Sequence, residues 1–180
     1  NEGDLLVAER VEEIGRGVEK SPRKVYVDRK LPFENLQRKE AEAVMYNLWS
    51  ISRARIRLTK DNLIQTMSPL GWIGHGATSI QEGRKMHLEH ALEFIDQPGE
   101  WYLDRDKCIL YYMPEKSENP NNCEWTAPFT KQLLRLLGRK GQPVTNLTFK
   151  GLRFRYANWQ LPIFGYAGIQ AGFFGSRYIT

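Results

Sequence analysis

The sequence predicts a mainly β protein: a β-rich module with short helices, followed by short strands turning corners as in a solenoid. Three observations predict it. Residues 52–58 alternate, with Ala54, Ile56 and Leu58 on one face and Arg53, Arg55 and Arg57 on the other, the period of a half-buried strand. Residues 98–114 read as a hairpin. Pro98-Gly99 makes its entry turn, residues 100–104 and 108–113 are its strands, Arg105-Asp106-Lys107 connects them, and Pro114 ends the ladder. In residues 144–156 two short alternating runs slip by one at Lys150-Gly151. Leu147 and Phe149, then Leu152, Phe154 and Tyr156, thereby keep one apolar side. Such a slip at a glycine is a corner, and short strands joined by corners build a solenoid coil.

The remaining elements follow in order. Residues 12–20 carry charges that an exposed helix would accommodate, although Gly15 and Gly17 weaken it. Residues 24–28 read as a short strand, and residues 31–40 as a turn into a short helix with Pro32 near its start. Val44, Tyr46 and Leu48 alternate in residues 42–48, and residues 62–67 are the natural returning strand after 52–58. Four glycines mark residues 68–83 as a loop. Leu88, Ala91, Leu92 and Ile95 stand at helical spacing, which predicts a short helix over 87–95. Residues 117–123 are polar loop, and residues 126–137 start a helix if Thr126 caps it and Gly138 ends it. Gly165, Gly168, Gly172 and Gly175 fit tight turns between short strands around 169–171 and 178–180.

The chain has 180 residues, 41% of them hydrophobic and 26% charged, the composition of a folded domain. No apolar run reaches the roughly 18 residues of a membrane span. The net charge of +5 is unevenly spread: residues 1–124 hold 18 basic and 21 acidic groups, residues 125–180 hold 8 basic groups and no Asp or Glu. Any reaction that needs carboxylates must draw them from the first two thirds or from elsewhere. Asn1 is not an initiator Met, and the last residues read as an unfinished strand, so we expect a piece of a longer chain.

Two cysteines, Cys108 and Cys123, do not make a zinc pattern, and buried free thiols are the favoured state. His87 and His90, with Glu89 between them, have a spacing that can ligate a metal. No third ligand is evident nearby, and a hydrogen-bonded structural role is favoured. The three arginines of 52–58 could bind an anion, but a solvated sheet face that resists edge pairing is the favoured reading.

Three blocks carry a family resemblance. They are residues 88–96 (LEHALEFID), residues 98–114 with Pro98-Gly99-Glu100-Trp101 and Leu110-Tyr111-Tyr112-Met113-Pro114, and residues 144–154 (VTNLTFKGLRF) with Trp159 and Pro162 behind. Together with Trp49-Ser50-Ile51-Ser52-Arg53 upstream, they resemble secreted right-handed parallel β-helix proteins of the pectate-lyase-like class, many of them bacterial glycoside hydrolases. The resemblance implies a β-rich accessory module over residues 1–143 and the opening coils of a truncated β-helix over 144–180. Two departures stand out. Family members usually have Gly where Cys108 stands and tend to have Asn where His90 stands.

Glycoside hydrolysis uses two carboxylates flanking the scissile bond. Residues 144–180 contain none, and Asp96, Glu100 and Asp104 lie at turns and strand ends, so no catalytic residue is nominated and the acid and base are expected outside this chain. Asp104 reads as a turn former. Trp159 and Tyr166 could stack on a pyranose, and Arg153 and Arg155 could meet uronic acid carboxylates; Trp159 packing on the solenoid and a solvated arginine face are the competing readings. No cofactor or metal requirement is evident. The expected partners are a polysaccharide or oligosaccharide and the remaining coils of the parent chain, in a secreted, periplasmic or cell-surface setting. Nucleic-acid binding ranks below carbohydrate, because the basic residues run along apparent strands without a recognition helix. A non-catalytic polysaccharide-binding module is the alternative to an enzyme fragment.

Overall fold

A computed structural model describes residues 5–14, 21–34, 36, 40–71 and 80–168. It divides into two units, residues 1–117 with 161–180, and residues 118–160.

The first unit is a closed antiparallel barrel. Its strands are β1 (Leu6–Ile14), β2 (Ser21–Val27), β3 (Glu42–Tyr46), β4 (Ile51–Lys60), β5 (Leu63–Thr66) and β6 (Lys85–Glu89). The order around the barrel is β3-β6-β1-β2-β5-β4, and β4 pairs back onto β3 to close it. Closure leaves no free edge among these six strands, which removes a template for edge-to-edge association. The interior is small, and its side chains alternate in size to fit. Ala8, Ala43 and Ala54 lie fully buried beside Val25, Val27, Met45, Ile56, Ile64 and Met86. Small residues where strands crowd and large ones where they diverge are what a narrow barrel needs.

The alternation of residues 52–58 places Ser52, Ala54 and Ile56 inward. A register shift between Ile56 and Leu58 then turns the strand, so that Thr59, not Leu58, is buried. There Thr59 Oγ1 accepts a hydrogen bond from the Leu36 backbone N–H. The bulge lets one long strand serve two neighbours, β3 with its first half and β5 with its second. A two-residue strand, β9 (Tyr166–Ala167), pairs with Ser52 and Arg53. Arg55 O accepts from Met67 N and Ile51 O from Gly168 N, so β9 continues along the side of β4 that β5 leaves uncovered. Gly165 makes this approach possible. Its φ is +80°, and a Cβ there would lie 2.8 Å from the Arg53 carbonyl oxygen and strike Ser68 Oγ.

The predicted hairpin is present as β7 (Trp101–Asp104) and β8 (Ile109–Tyr112), a separate two-stranded sheet in which Tyr102 stacks on Tyr111 at 6.3 Å. Asp104 forms its turn: Oδ1 accepts from the Lys107 N–H at 3.0 Å, a bond that holds the carboxyl below its ordinary pKa. Both departures from the family pattern fall on left-handed backbone, Cys108 at φ +55° and His90 at φ +61°, where Gly and Asn are the residues of least strain. Neither cysteine is bonded, and Cys108 is exposed rather than buried.

Three expectations are corrected. Residues 87–95 form no α-helix. Lys85–Glu89 is the strand between β3 and β1, and a 3-10 turn, Leu92–Phe94, follows. Barrel closure by six strands outweighs the helical spacing there, and Phe94 instead packs edge-on against Phe33 at 5.2 Å. The charged helix expected from residue 12 gives way to β1, which runs to Ile14, and 15–20 lie outside the described residues. Residues 126–137 are irregular rather than helical.

A further correction concerns the solenoid. The chain does turn at Gly151, whose φ is +67°, and again at Asn146 and Tyr156, with φ of +60° and +61°. The flanking runs, however, form no strands, and the described residues build a small barrel, not the opening of a β-helix. Strand ladders need a hydrogen-bonding neighbour, and the runs of 144–156 have none among the described residues. Their side chains at Leu147, Phe149, Leu152, Phe154 and Tyr156 are 48–60% exposed. The strands expected around 169–171 and 178–180 lie outside the described residues.

Candidate functional site

The outer face of β4-β3-β6 collects the charged groups. Inward and outward residues alternate, so pairing of Val44 with Arg53 and with His87, and of Glu42 with Arg55 and with Glu89, sets these side chains side by side. Arg53 Nη1 donates to Glu89 Oε2 at 2.5 Å and to Glu42 Oε2 at 3.4 Å. His87 Nε2 meets Glu89 Oε1 at 2.6 Å, and His90 Nε2 stands 3.8 Å from Glu89 Oε2. The Tyr46 ring lies 5.5 Å from that of His87. Arg55 turns the other way and donates to the Leu161 carbonyl at 3.1 Å. Two of the three arginines expected on a solvated face are therefore tied down.

The two carboxylates differ sharply. The His87 hydrogen bond, helped by Arg53 and opposed by burial, lowers the Glu89 pKa to about 2. Burial pushes Glu42 up, against the pull of His90 and Arg53. Burial would lower the pKa of Arg53, but Glu89 and Glu42 raise it. Glu42, Glu89 and His90 bring ligand atoms within 4.8 Å of one another, a trio that does not include His87, so the structure does not complete the His87/His90 pair expected from the sequence. Glu42 sits 45 positions or more upstream of the histidines, and only the β3–β6 register brings it there. The guanidinium of Arg53 already bridges the two carboxylates as their cation.

Next to Arg53 lies an open groove of about 620 Å³, lined by residues 46–51, Arg53, Tyr166 and Gly168. Asn47 shapes the turn between β3 and β4. Its N–H donates to Ser50 O at 2.8 Å, and Nδ2 donates to Ser50 Oγ and Ser52 Oγ at 3.3 and 2.9 Å. Trp49, at the turn, is 59% exposed, and Ile51 is 43% exposed. Across the groove, Gly168 N bonds Ile51 O at 3.0 Å, and a Cβ on Gly168 would come within 3.2 Å of the Tyr166 ring.

Of the predicted contact residues, Tyr166 lies on β9 in this groove. Trp159, Arg153 and Arg155 lie in the 118–160 unit, where all three are exposed. Of the groove's other members, Tyr46, Trp49 and Ile51 are missing from the sequence-level site, and Arg53 enters it only as one of three arginines that could bind an anion. The signal is an aromatic pair, Tyr46 and Trp49, flanking Asn47-Leu48, but alternation alone assigns Tyr46 and Ile51 to a strand without saying that the groove opens beside them.

Residues 14–115 match the family described as the GH141 insertion domain. That span stops two residues before the end of the first segment of the barrel unit at residue 117. A solved structure described as a glycoside hydrolase resembles the chain with a TM-score of 0.63 at 22% identity, over 91% of this chain and 33% of that one. At that identity the likeness is one of fold, and the chain spans about a third of that protein's length. No curated protein matches the sequence. The glycoside-hydrolase relationship expected from the sequence thus stands at the level of a related module, and the parallel β-helix does not.

Proposed function

Because the chain belongs to the GH141 insertion-domain family, we propose that it is a non-catalytic module of a polysaccharide-processing glycoside hydrolase acting outside the cytoplasm. In this reading the acid and base of that enzyme lie beyond these 180 residues. The observation that carries it is the position of Arg53. Glu42 and Glu89 are a close carboxylate pair with divergent pKa values, which is the raw material of glycosidic acid–base chemistry. A hydrolytic pair needs open space of about 5–9.5 Å for the anomeric centre or a water. Here a guanidinium fills that space and bonds both partners. The pair is a clamp on the barrel wall.

The 118–160 unit has the complementary property. Phe129 is 92% exposed and Leu137 66%, and the apolar side of 144–156 is open. Surface of this kind serves as an interface, and the remainder of the hydrolase chain is its occupant in this reading. Trp159, Arg153 and Arg155 add contacts to glycan or to that remainder.

Reducing-end assays on the 180-residue chain and on a longer hydrolase that contains it test the proposal. The longer protein releases sugar and the chain alone releases none. Release by the chain alone, abolished in Glu89→Gln, would overturn the reading.

A further inference from the structure

We propose that the groove between the β3–β4 turn and β9 is a binding subsite for an uncharged pyranose residue of a polysaccharide. Trp49 and Tyr166 take the sugar's C–H face, and Arg53 donates to its hydroxyls. The inference rests on the hydrolase-module reading for the presence of a glycan, but it concerns binding and not cleavage.

Side-chain chemistry comes first. A pyranose has an apolar face of C–H groups and a rim of hydroxyls, so it is recognised by an aromatic ring beside fixed polar donors. The groove offers both. Tyr46, Trp49 and Ile51 are 37%, 59% and 43% exposed around it, whereas Met45 and Ser52 beside them in the chain are fully buried. Apolar side chains that open onto one concavity differ from scattered surface residues, and they mark a binding surface.

Rigidity comes second. The turn that carries Trp49 is closed by three hydrogen bonds from Asn47. Gly165 and Gly168 allow β9 to lie close against β4, with Tyr166 between them. Arg53 is held from behind by Glu89 and Glu42 through Nη1 and Nη2, bonds that do not use its Nε–H. Groups already ordered lose little entropy on binding.

Charge decides the class of ligand. An anionic sugar or a phosphate backbone would need net positive charge in the groove. Among the described residues, the one arginine that lines it is balanced by two carboxylates. Arg53 therefore acts as a hydrogen-bond donor in a locally neutralised setting, which favours an uncharged hexose or pentose over a uronate. A nucleic acid could stack on the same rings but would bring its phosphates to Glu42 and Glu89.

The test uses the 180-residue chain with xylan, glucan, galactan and mannan, their oligosaccharides, and polygalacturonate, read by affinity electrophoresis and isothermal titration. Binding to at least one neutral glycan is expected, with polygalacturonate weaker. Trp49→Ala should weaken that binding about tenfold, the size of one aromatic contact, without lowering the melting temperature. Trp49→Phe should keep most of it, and Trp101→Ala, on the separate hairpin, should change nothing. Three results would overturn the inference: no neutral glycan bound, polygalacturonate bound more tightly than all of them, or equal loss in Trp49→Ala and Trp101→Ala. If no glycan binds while a longer hydrolase containing the module still cleaves its polysaccharide, the groove inference falls and the module reading stands. Cleavage by the chain alone sinks the module reading instead.

Discussion

Residues 51–60 and residues 144–156 both alternate apolar and polar side chains, and both slip by one residue, the first in its strand pairing and the second in its sequence. The first is a barrel wall, with Ser52, Ala54 and Ile56 sealed inside and the slip at Ile56–Leu58 absorbed as a bulge. The second has its bends at Asn146, Gly151 and Tyr156, but its apolar side faces out. Alternation thus indicates which side chains share a face as far as the next bulge, while a hydrogen-bonded neighbour decides whether the segment is a strand. β4 has such neighbours in β3, β5 and β9. Within this chain, the later segment has none among the described residues.

The largest effect separates the two regions directly. Met45→Ala removes a fully buried side chain from the barrel interior and should cost about 3 kcal/mol in denaturant unfolding. Phe149→Ala, at a residue 48% exposed, should change the stability of the chain by less than about 0.5 kcal/mol. Equal losses would mean that 144–156 is packed as tightly as the barrel.

A smaller effect sharpens what holds the barrel's outer face. The Glu89 pKa is lowered to about 2, so its ion pair stabilises the fold above the ordinary 4.5 and is lost as pH falls from there towards 2. Glu42, whose pKa is raised, binds its proton more tightly when folded and partly offsets that loss. Glu89→Gln should cost about 2 kcal/mol at pH 7, between the values for exposed and buried pairs, because Glu89 keeps 30% of its side chain in water. The variant should also flatten the acid limb of the stability profile. An unchanged limb would mean that other carboxylates control acid unfolding.

The smallest effect concerns the hairpin. Cys108→Gly relieves a φ of +55° and should stabilise the chain by about 0.5 kcal/mol, read as a small rise in melting temperature. A fall would mean that Cys108 Sγ, which lies 3.6 Å from the Arg105 carbonyl, contributes more than its backbone costs.

The local elements were readable to different depths. The 98–114 hairpin was legible because its turn residues and strand pattern lie together in sequence. The strand at Lys85–Glu89 was obscured because Leu88, Ala91, Leu92 and Ile95 satisfy a helical period as well, and only pairing with β3 and β1 removes the ambiguity. The candidate site was less legible still. Tyr166 was in view as an aromatic residue among glycines, but its companions Trp49 and Arg53 are more than a hundred residues away in sequence.

By itself, then, the sequence determined the β class, the hairpin, the turn role of Asp104 and the absence of carboxylates after residue 124, because each depends on composition or on neighbours a few positions apart. The tertiary structure decided that six strands close into a barrel, that Glu42 joins Glu89 around Arg53, and that a groove opens beside that arginine. Those outcomes rest on register between strands far apart in the chain. A slip of one residue in any of those pairings would turn every one of these side chains to the other face.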